Sequence, residues 1–459
     1  MSQVPPTPQT EAPAHGTAEH EGHFRRVLGV PSLVFFGLVY MVPLTVFTTY
    51  GIVTQLTGGR VAAAYVITLI AMVFTARSYA KMAEAYPSAG SAYTYTQKSF
   101  GAPVGFLAGW SLLLDYLFLP MINYLVIGIY LNAALPAVPP WVFVVVMIGL
   151  VTVLNIIGIV SVARANVVII AAQSIFIVVF AVLSVAAISK TGTVDIAAPF
   201  TGDGTAPGFA PLMAGAAVLC LSFLGFDAVS TLSEEAKDPR RTVPRAIIIA
   251  TLTGGLIYMG LSCVAQLVFP SNQFSDVDSG ALDVMGAAGG QFLTIFFTAA
   301  YVAGAAGSAL TSQASVARIL FAMGRDGVLP RRFFGHLSER FDTPVYAIGV
   351  VSVVSLLAVV IDLGVLAEMI SFGALMAFSA VNLAVFKHYF VDGKKRGAAA
   401  VFSYVVLPGI GLALTLWLWT SLSPRTLIVG LSWLAVGVIY LAWITRGFRR
   451  PTPSLDLKE

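Results

Sequence analysis

The amino-acid sequence predicts an all-helical protein that crosses a membrane many times. Its composition, the spacing of its apolar runs and the placement of its basic residues all indicate this fold class. Of the 459 residues, 58% are hydrophobic and only 10% are charged, whereas soluble domains carry about 25% charged residues. We therefore expect a polytopic bundle of helices embedded in lipid.

Apolar runs close to 20 residues long are sufficient to cross a bilayer as a helix. Twelve such runs occur, and we predict a transmembrane helix for each. They cover residues 29–57, 61–84, 101–133, 140–159, 163–189, 208–233, 243–270, 287–323, 343–362, 364–388, 400–421 and 425–445.

The basic residues follow one orientation of these spans. With the N-terminus in the cytoplasm, only Arg60, Lys190 and Arg425 of the 26 Lys and Arg residues fall outside, leaving 23 inside. The positive-inside rule requires such a bias. It supports a multi-pass protein of the cell membrane with both termini cytoplasmic. Residues 1–24 are polar and rich in Pro, Glu and His, which predicts a disordered tail.

The first and the sixth spans are interrupted. Pro43 removes a backbone donor in the middle of the first span, and Gly225 lies between two hydrophobic residues of the sixth. Interruptions five spans apart are typical of two inverted five-helix repeats with a binding site between them. For Pro43 alone, a kink without function is the alternative. We predict repeats at 25–190 and 208–390, two further helices at 400–447, and a cytoplasmic tail at 448–459.

Two carboxylates, Asp227 and Asp115, lie deep within predicted spans. A charge there costs several kcal/mol and usually marks an ion or substrate path. The alternative for each is a structural role, satisfied by hydrogen bonds to neighbouring groups. Asp227, just after the interruption at Gly225, predicts a discontinuous helix that binds a cation.

Several other functions are excluded by the pattern of residues. No His/Cys cluster has metal-ligand spacing, and no Ser/His/Asp set converges on one membrane depth, so we predict neither a metal, a cofactor nor an enzyme. Cys220 and Cys263 lie in apolar spans, where unpaired thiols are the default. The net charge of +4 follows membrane topology and does not indicate a nucleic-acid partner.

Three motifs in the same order resemble the amino acid–polyamine–organocation transporters. The sequence YPSAGSAYTY at 86–95 resembles the loop after the family's second helix. FLGFD at 223–227, followed by KDPRRTVPR at 237–245, resembles its sixth helix and the next connection, and AMGRDGVLP at 322–330 resembles the end of its eighth. Residues 37–51 within the first span and residues 109–123 within the third are most similar to bacterial putrescine importers. The resemblance implies alternating access through five plus five inverted helices and two peripheral ones.

The first interruption limits the substrate that this resemblance implies. Amino acid transporters of the superfamily place a Gly-Ser-Gly type sequence there, and its exposed amides hold the substrate carboxylate. The corresponding stretch here is Pro43, Leu44 and Thr45, and proline has no amide hydrogen. This favours a small cationic amine without a carboxylate, such as putrescine. An amino acid permease or an amino acid/amine exchanger is the alternative.

The predicted substrate site combines both interruptions with residues that the resemblance turns inward. Asp227 would hold one ammonium through a charge-assisted hydrogen bond, and Asp115 is the candidate for the other. For the aromatic residues except Tyr40, packing or lipid contact is the alternative to cation–π contact. The set comprises Tyr40, Met41, Val42, Pro43, Thr45, Asp115, Tyr116, Asn123, Ser222, Phe223, Gly225, Phe226, Asp227, Ser312 and Phe372.

The coupling ion is less directly specified. All five histidines lie in the tail or in predicted cytoplasmic loops, so if protons drive uptake, Asp227 or Asp115 must carry them. Many proton-coupled relatives place a lysine on the fifth helix, and the corresponding position here is Gln173. It either joins a hydrogen-bond network near the first helix or packs between helices. The predicted partners are therefore an amine, protons and lipid, with no oligomeric state specified.

Overall fold

The computed structural model describes residues 27–87, 91–157, 162–190, 195–233, 235–325, 327–338, 340–341, 343–447 and 449–452, with only the backbone described for 162–168. The predicted tail at 1–24 and most of the tail at 448–459 lie outside these residues. Within the described ranges the regular elements are all helical and no strand occurs. The all-helical prediction is therefore confirmed for this part of the chain.

The helices begin with proline in several cases, because its fixed φ suits the first helical turn. The α-helices are α1 Val30–Met41, α2 Tyr50–Thr57, α3 Val61–Ala85, α4 Ser91–Phe100, α5 Ala102–Ala134, α6 Pro140–Ile157, α7 Val162–Ile188, α8 Ala198–Thr201, α9 Ala210–Leu219, α10 Pro239–Val268, α11 Ala281–Arg325, α12 Arg331–Phe334, α13 Val345–Ser355, α14 Leu363–Val385, α15 Ala398–Val401, α16 Leu407–Thr420 and α17 Pro424–Ile444. Short 3₁₀ turns cover Pro43–Phe47, Cys220–Phe223, Ala228–Leu232 and Leu356–Val359, and π-helical turns cover Phe386–Asp392 and Phe402–Val406.

Eleven helical segments in the described ranges are long and apolar enough to cross a membrane. The predicted span at 343–362 falls short of that length, because its apolar helix covers only Val345–Val359. Large apolar side chains on the outer surface are exposed, including Trp443 at 74%. The protein is therefore a multi-pass membrane protein.

The segment after the second span differs from the loop that the motif suggested. Residues 91–100 form α4, which packs against α5 and α14. Its buried face carries Ala92, Tyr95, Thr96 and Ser99, which recur three or four residues apart along a helix. Mixed polar and aromatic residues on one helical face hid this element from a count of apolar runs.

The first span breaks after α1. Val42 has φ 45° and ψ 95°, an outlier for a β-branched residue, and a 3₁₀ turn starts at Pro43. The carbonyl oxygen of Met41, left without a helical donor, accepts hydrogen bonds from the hydroxyls of Tyr258 (2.7 Å) and Thr45 (3.3 Å). These side chains hold the break in one conformation.

The sixth span breaks between two 3₁₀ turns, and it touches the first break. Gly225 has φ 128°, a conformation that glycine adopts without strain. A Cβ at this position would lie 2.7 Å from Cδ1 of Tyr40 and 3.0 Å from the backbone nitrogen of Met41. Glycine is therefore required both by the backbone conformation and by the contact between the two breaks.

The chain before α1 is joined to the connection after the sixth span. The amides of Val27 and Leu28 donate to the carbonyl oxygen of Glu235 at 2.9 and 3.0 Å, and the amide of Lys237 donates to Leu28 at 2.9 Å. An isolated parallel bridge pairs Leu28 with Ala236. Main-chain hydrogen bonds thus link the start of the first span to the connection that follows the sixth span.

The last helix is attached through Glu368 of α14. Its carboxylate accepts hydrogen bonds from the amide of Ser423 (3.0 Å), the hydroxyl of Thr426 (2.7 Å) and the hydroxyl of Ser423. These groups form the N-terminus of α17, where a negative charge also complements the helix dipole. Glu368 is therefore a structural carboxylate.

We expect Glu368→Ala to lower the thermal unfolding midpoint of the purified protein clearly. It leaves partly buried donors unpaired, at about 1–3 kcal/mol each. Glu84→Ala is the matched control, because Glu84 is exposed and forms a surface ion pair with Lys81 at 2.7 Å, a contact worth about 0–1 kcal/mol. Equal midpoints for the two variants would contradict the capping role.

Candidate functional site

A cavity of about 400 Å³ lies between the two breaks, bounded by the first span, α5, α7, the sixth span and α11. Its size suits a small ligand. The predicted site and coupling residues that line it are Tyr40, Met41, Val42, Thr45, Asp115, Tyr116, Asn123, Gln173, Gly225, Asp227 and Ser312.

The other predicted site residues are not among the residues that line this cavity, namely Pro43, Ser222, Phe223, Phe226 and Phe372. Ser222 shares a hydrogen bond of 3.0 Å with the hydroxyl of Tyr65. Phe223 packs against the same Tyr65 ring, with ring centroids 6.5 Å apart. Both residues thus contact α3.

Phe226 and Phe372 also pack away from the cavity. The Phe226 ring lies 5.6 Å from that of Tyr79 and 5.1 Å from that of Phe378. The Phe372 ring lies 5.0 Å from that of Trp419. These aromatic residues support the helices around the site without facing a ligand in the cavity.

The two acidic residues of the cavity differ in their protein partners. Asp115 is 8% exposed and makes no hydrogen bond or ion pair with a described residue. The carboxylate of Asp227 accepts a hydrogen bond of 3.1 Å from the amide of Gly225. Among the described side chains, no Lys, Arg or His lines the cavity. Because buried charges are normally paired, this arrangement is suited to a cationic ligand.

Two tyrosines stand beside the carboxylates. Tyr40 lines the cavity, is 41% exposed and lies within electrostatic range of both Asp115 and Asp227. Tyr116 lies close to the same carboxylates. An aromatic face near an ammonium contributes about 0.5–2 kcal/mol of attraction. Tyr40 and Tyr116 can therefore supplement the carboxylates in holding a cation.

The first break offers few amides to an anion. The amide of Val42 donates to Val39 at 3.3 Å, and that of Thr45 donates to Val42 at 2.8 Å. Pro43 has no amide hydrogen. Three of the four positions from 42 to 45 therefore present no free N–H group to a ligand carboxylate.

One wall of the cavity, formed by α11, was largely missed from the sequence. Tyr301, Ser308, Thr311 and Ser315 line the cavity together with the predicted Ser312. Their spacing of three or four residues is the available signal, because it places polar groups on one helical face. That spacing alone does not indicate a site, because Ser and Thr also bridge helices routinely.

Asn123 and Gln173 connect this wall to neighbouring helices. The Asn123 amide donates to Ser308 at 3.0 Å and to the carbonyl of Leu119 at 2.8 Å. Gln173 is 6% exposed, and a Cβ at Gly304 would lie 1.9 Å from its Nε2. Because glycine has no side chain, position 304 leaves space for the Gln173 amide beside the cavity.

Buried aromatic rings close one end of the cavity. The ring of Phe47 lies 5.3 Å from Phe180 and 5.5 Å from Phe297, and the ring of Tyr130 lies 4.9 Å from Tyr301. The hydroxyl of Tyr301 also bonds Thr48. At the other end Tyr40, Thr311 and Ser315 are exposed. The cavity is therefore closed on one side of the breaks and open on the other.

Comparison with known proteins places this geometry in a family. The amino acid permease family profile matches residues 32–445. The low-affinity putrescine importer of Escherichia coli strain K12 is 41% identical over 442 residues, covering 94% of this chain and 96% of that protein. A branched-chain amino acid permease of Bacillus subtilis strain 168 is 28% identical over 448 residues, covering 91% and 93%.

A third relative is a longer protein. The vacuolar cationic amino acid transporter 4 of Arabidopsis thaliana is 33% identical over 382 residues, covering 78% of this chain and 62% of that protein. The region matched by the family profile, residues 32–445, includes both breaks and the residues that line the cavity. The family resemblance inferred from the three motifs is confirmed. The chain belongs to the amino acid permease family and is a membrane transporter, not an enzyme.

Proposed function

We propose that this protein is a secondary active transporter that imports putrescine or a similar small diamine. The observation that carries the proposal is the pair Asp115 and Asp227 in one cavity, without a basic side chain among the described residues that line it. The similarity to a protein named as a putrescine importer supports the same substrate class.

The chemistry of the cavity matches a diamine at both ends and along its length. Each ammonium would be held by one carboxylate through a charge-assisted hydrogen bond. The methylene chain would lie against apolar lining residues next to the two carboxylates, such as Leu119 and Leu224. The occupied amides of Val42 and Thr45 give a substrate carboxylate little to bind. The dication therefore fits this site better than an amino acid does.

We further propose twelve spans, with Val345–Val359 as the ninth, in two inverted repeats at 25–190 and 208–390. Breaks in the first and sixth spans support this arrangement. The bias of basic residues supports cytoplasmic termini in the cell membrane, and the open end of the cavity then faces the cytoplasm.

Arg60, an exception to that bias, has a structural role, since its guanidinium donates to the carbonyl oxygens of Gly208 and Thr57 at 2.9 Å each.

Coupling to protons is part of the proposal. Asp115 and Asp227 are the titratable carboxylates of the cavity lining, so the coupling proton would reside on one of them. Gln173 replaces the lysine of other proton-coupled relatives and would position neighbouring groups without carrying charge. An imposed pH gradient should therefore change the rate of uptake.

Uptake into proteoliposomes tests the substrate and the coupling together. Labelled putrescine should accumulate, should respond to a pH gradient, and should be displaced by diamines better than by neutral amino acids. Competitors should include ornithine, lysine and agmatine. Competition by amino acids but not by diamines would replace this proposal with an amino acid permease.

If Asp115 and Asp227 each hold one ammonium, Asp115→Asn should change the selectivity between diamines and monoamines. Losing one of two charged contacts costs about 2–5 kcal/mol, or about 30-fold or more in affinity for a diamine. Butylamine has one ammonium, which Asp227 can still hold, so its inhibition constant should change far less. Both constants are measured by competition against residual uptake of labelled putrescine. An equal loss for both amines would contradict the two-carboxylate site.

A further inference from the structure

A second polar region lies behind the substrate cavity. Ten buried side-chain N or O atoms in the described part of the chain have no hydrogen-bond partner, and six of them belong to the end of α3 and to α4. These six are the Nε atom of Arg77 and the hydroxyls of Tyr79, Ser91, Tyr95, Thr96 and Ser99. Such a concentration in one place points to polar contacts that the protein's own side chains do not provide.

Tyr79 connects this region to the carboxylates. Its ring is fully buried and packs against Phe226, the residue before Asp227, at 5.6 Å between ring centroids. Asp227 and Asp115 both lie within electrostatic range of its hydroxyl. Tyr79 is not among the residues that line the cavity. Its hydroxyl is therefore near the acidic pair but outside the lining of the cavity.

Tyr95 continues the line of hydroxyls away from the cavity. Its ring lies 6.0 Å from that of Tyr79. Ser99 lies four residues further along α4, on the same helical face and about 6 Å along the axis. Both side chains are buried, whereas Gly101 after the helix is exposed. The hydroxyls thus lead from the acidic pair to the end of α4.

The titratable groups around Asp227 are a second carboxylate and several tyrosines. Titratable side chains from four different helices face it, and within the described side chains no His, Lys or Arg lines the cavity. The basic residues of the two helices that carry these hydroxyls are Arg77 and Lys81 at the end of α3 and Lys98 in the last turn of α4. The neighbours of Asp227 are Tyr40 on α1, Tyr79 on α3, Tyr95 on α4, and Asp115 and Tyr116 on α5.

We propose that Tyr79, Tyr95 and Ser99 hold a short chain of water molecules that exchanges protons between Asp227 and the cytoplasm. Buried polar groups without protein partners are normally satisfied by ordered water. The inference rests on the proposed proton-coupled amine transport. Because an ammonium and a proton compete for the same carboxylate, a route outside the substrate cavity lets the proton leave Asp227 as an ammonium takes its place.

The transfer is balanced at every position. The O–H bond of the Asp227 carboxylic acid breaks, and the proton joins the adjacent water. Each hydroxyl in the chain accepts one proton and releases its own to the next water, so every tyrosine ends unchanged. Asp227 becomes a carboxylate, and the cytoplasm gains one proton. The same chain runs in reverse when the proton gradient is reversed.

The test compares two transport modes in proteoliposomes. Counterflow exchanges labelled for unlabelled putrescine without net proton movement, whereas uptake driven by a pH gradient requires it. We expect Tyr79→Phe and Tyr95→Phe to retain counterflow and to lose at least about tenfold of the response to the pH gradient, since proton-transfer groups typically contribute more than that. Tyr124→Phe is the matched control, because Tyr124 is equally buried but its hydroxyl donates to Gln313 at 2.8 Å.

The outcomes separate this inference from the proposed function. A normal pH response in both Tyr79→Phe and Tyr95→Phe overturns the relay. So does a parallel loss of counterflow and pH response, which would assign these hydroxyls to folding or binding. If the wild-type protein shows no putrescine counterflow, the proposed function fails first. If sodium replaces the pH gradient as the driving ion, the chain of hydroxyls does not carry protons.

Discussion

Replacing Asp227 with asparagine is expected to abolish the accumulation of putrescine in proteoliposomes. The substitution keeps the size of the side chain and an acceptor for the Gly225 amide, but removes the charge that would pair with an ammonium. Truncating one partner of a buried charge pair costs about 2–5 kcal/mol, a loss of about 30-fold to a few thousand-fold in affinity. Asp227 is also a candidate proton carrier, so both binding and coupling should fail.

Asp195→Asn is the matched control for this variant. Asp195 lies in an exposed connection, where it accepts a hydrogen bond of 2.9 Å from the amide of Ala197. It should transport at the wild-type rate. Both variants should elute as folded protein in size-exclusion chromatography. Wild-type uptake by Asp227→Asn would remove the main support for the amine site.

Gly225→Ala should produce the second large effect. Alanine is strained at φ 128°, and its Cβ would meet the backbone nitrogen of Met41 at 3.0 Å. Backbone strain of this kind costs about 1–3 kcal/mol, and the contact between the two breaks must also open. We expect uptake to fall by about tenfold or more, an estimate from that strain, with a lower unfolding midpoint.

Gly260→Ala provides the comparison for Gly225→Ala. Gly260 lies within α10, and a Cβ there would meet no atom within 4 Å. Exchanging glycine for alanine at an unstrained helical position usually stabilises a protein slightly. Uptake and midpoint should both be preserved. Equal behaviour of the two alanine variants would mean that the sixth break does not depend on Gly225.

The sequence was most informative where a residue type conflicts with its surroundings. A carboxylate in lipid and a proline in mid-span are costly, and Asp115, Asp227 and Pro43 could be singled out for that reason alone. The twelve apolar runs likewise gave the order of the helices. Two departures are α4, which is not an apolar run, and the span at 343–362, where the observed apolar helix ends at Val359. Hydropathy counts apolar residues without locating the turn that ends a helix.

The sequence was least informative about which side of an irregular segment a residue faces. Helical periodicity lapses at the breaks, so Phe223 and Phe226 could not be assigned to a face, and both pack against neighbouring rings. The polar face of α11 was visible as a pattern, but Ser308 and Thr311 resemble ordinary helix-bridging residues. Which of these patterns surround a cavity depends on tertiary contacts that one sequence does not contain.

The backbone pairing between residues 27–28 and 235–237 makes the two broken spans mechanically dependent on each other. Three main-chain hydrogen bonds join the two half-helices, so we expect the half-helices to move together when the spans bend at Val42 and Gly225. Because these hydrogen bonds use main-chain atoms, most substitutions leave the pairing intact. Only proline would remove a donor, at Val27, Leu28 or Lys237. The pairing between the two half-helices therefore tolerates most substitutions, whereas position 225 requires glycine.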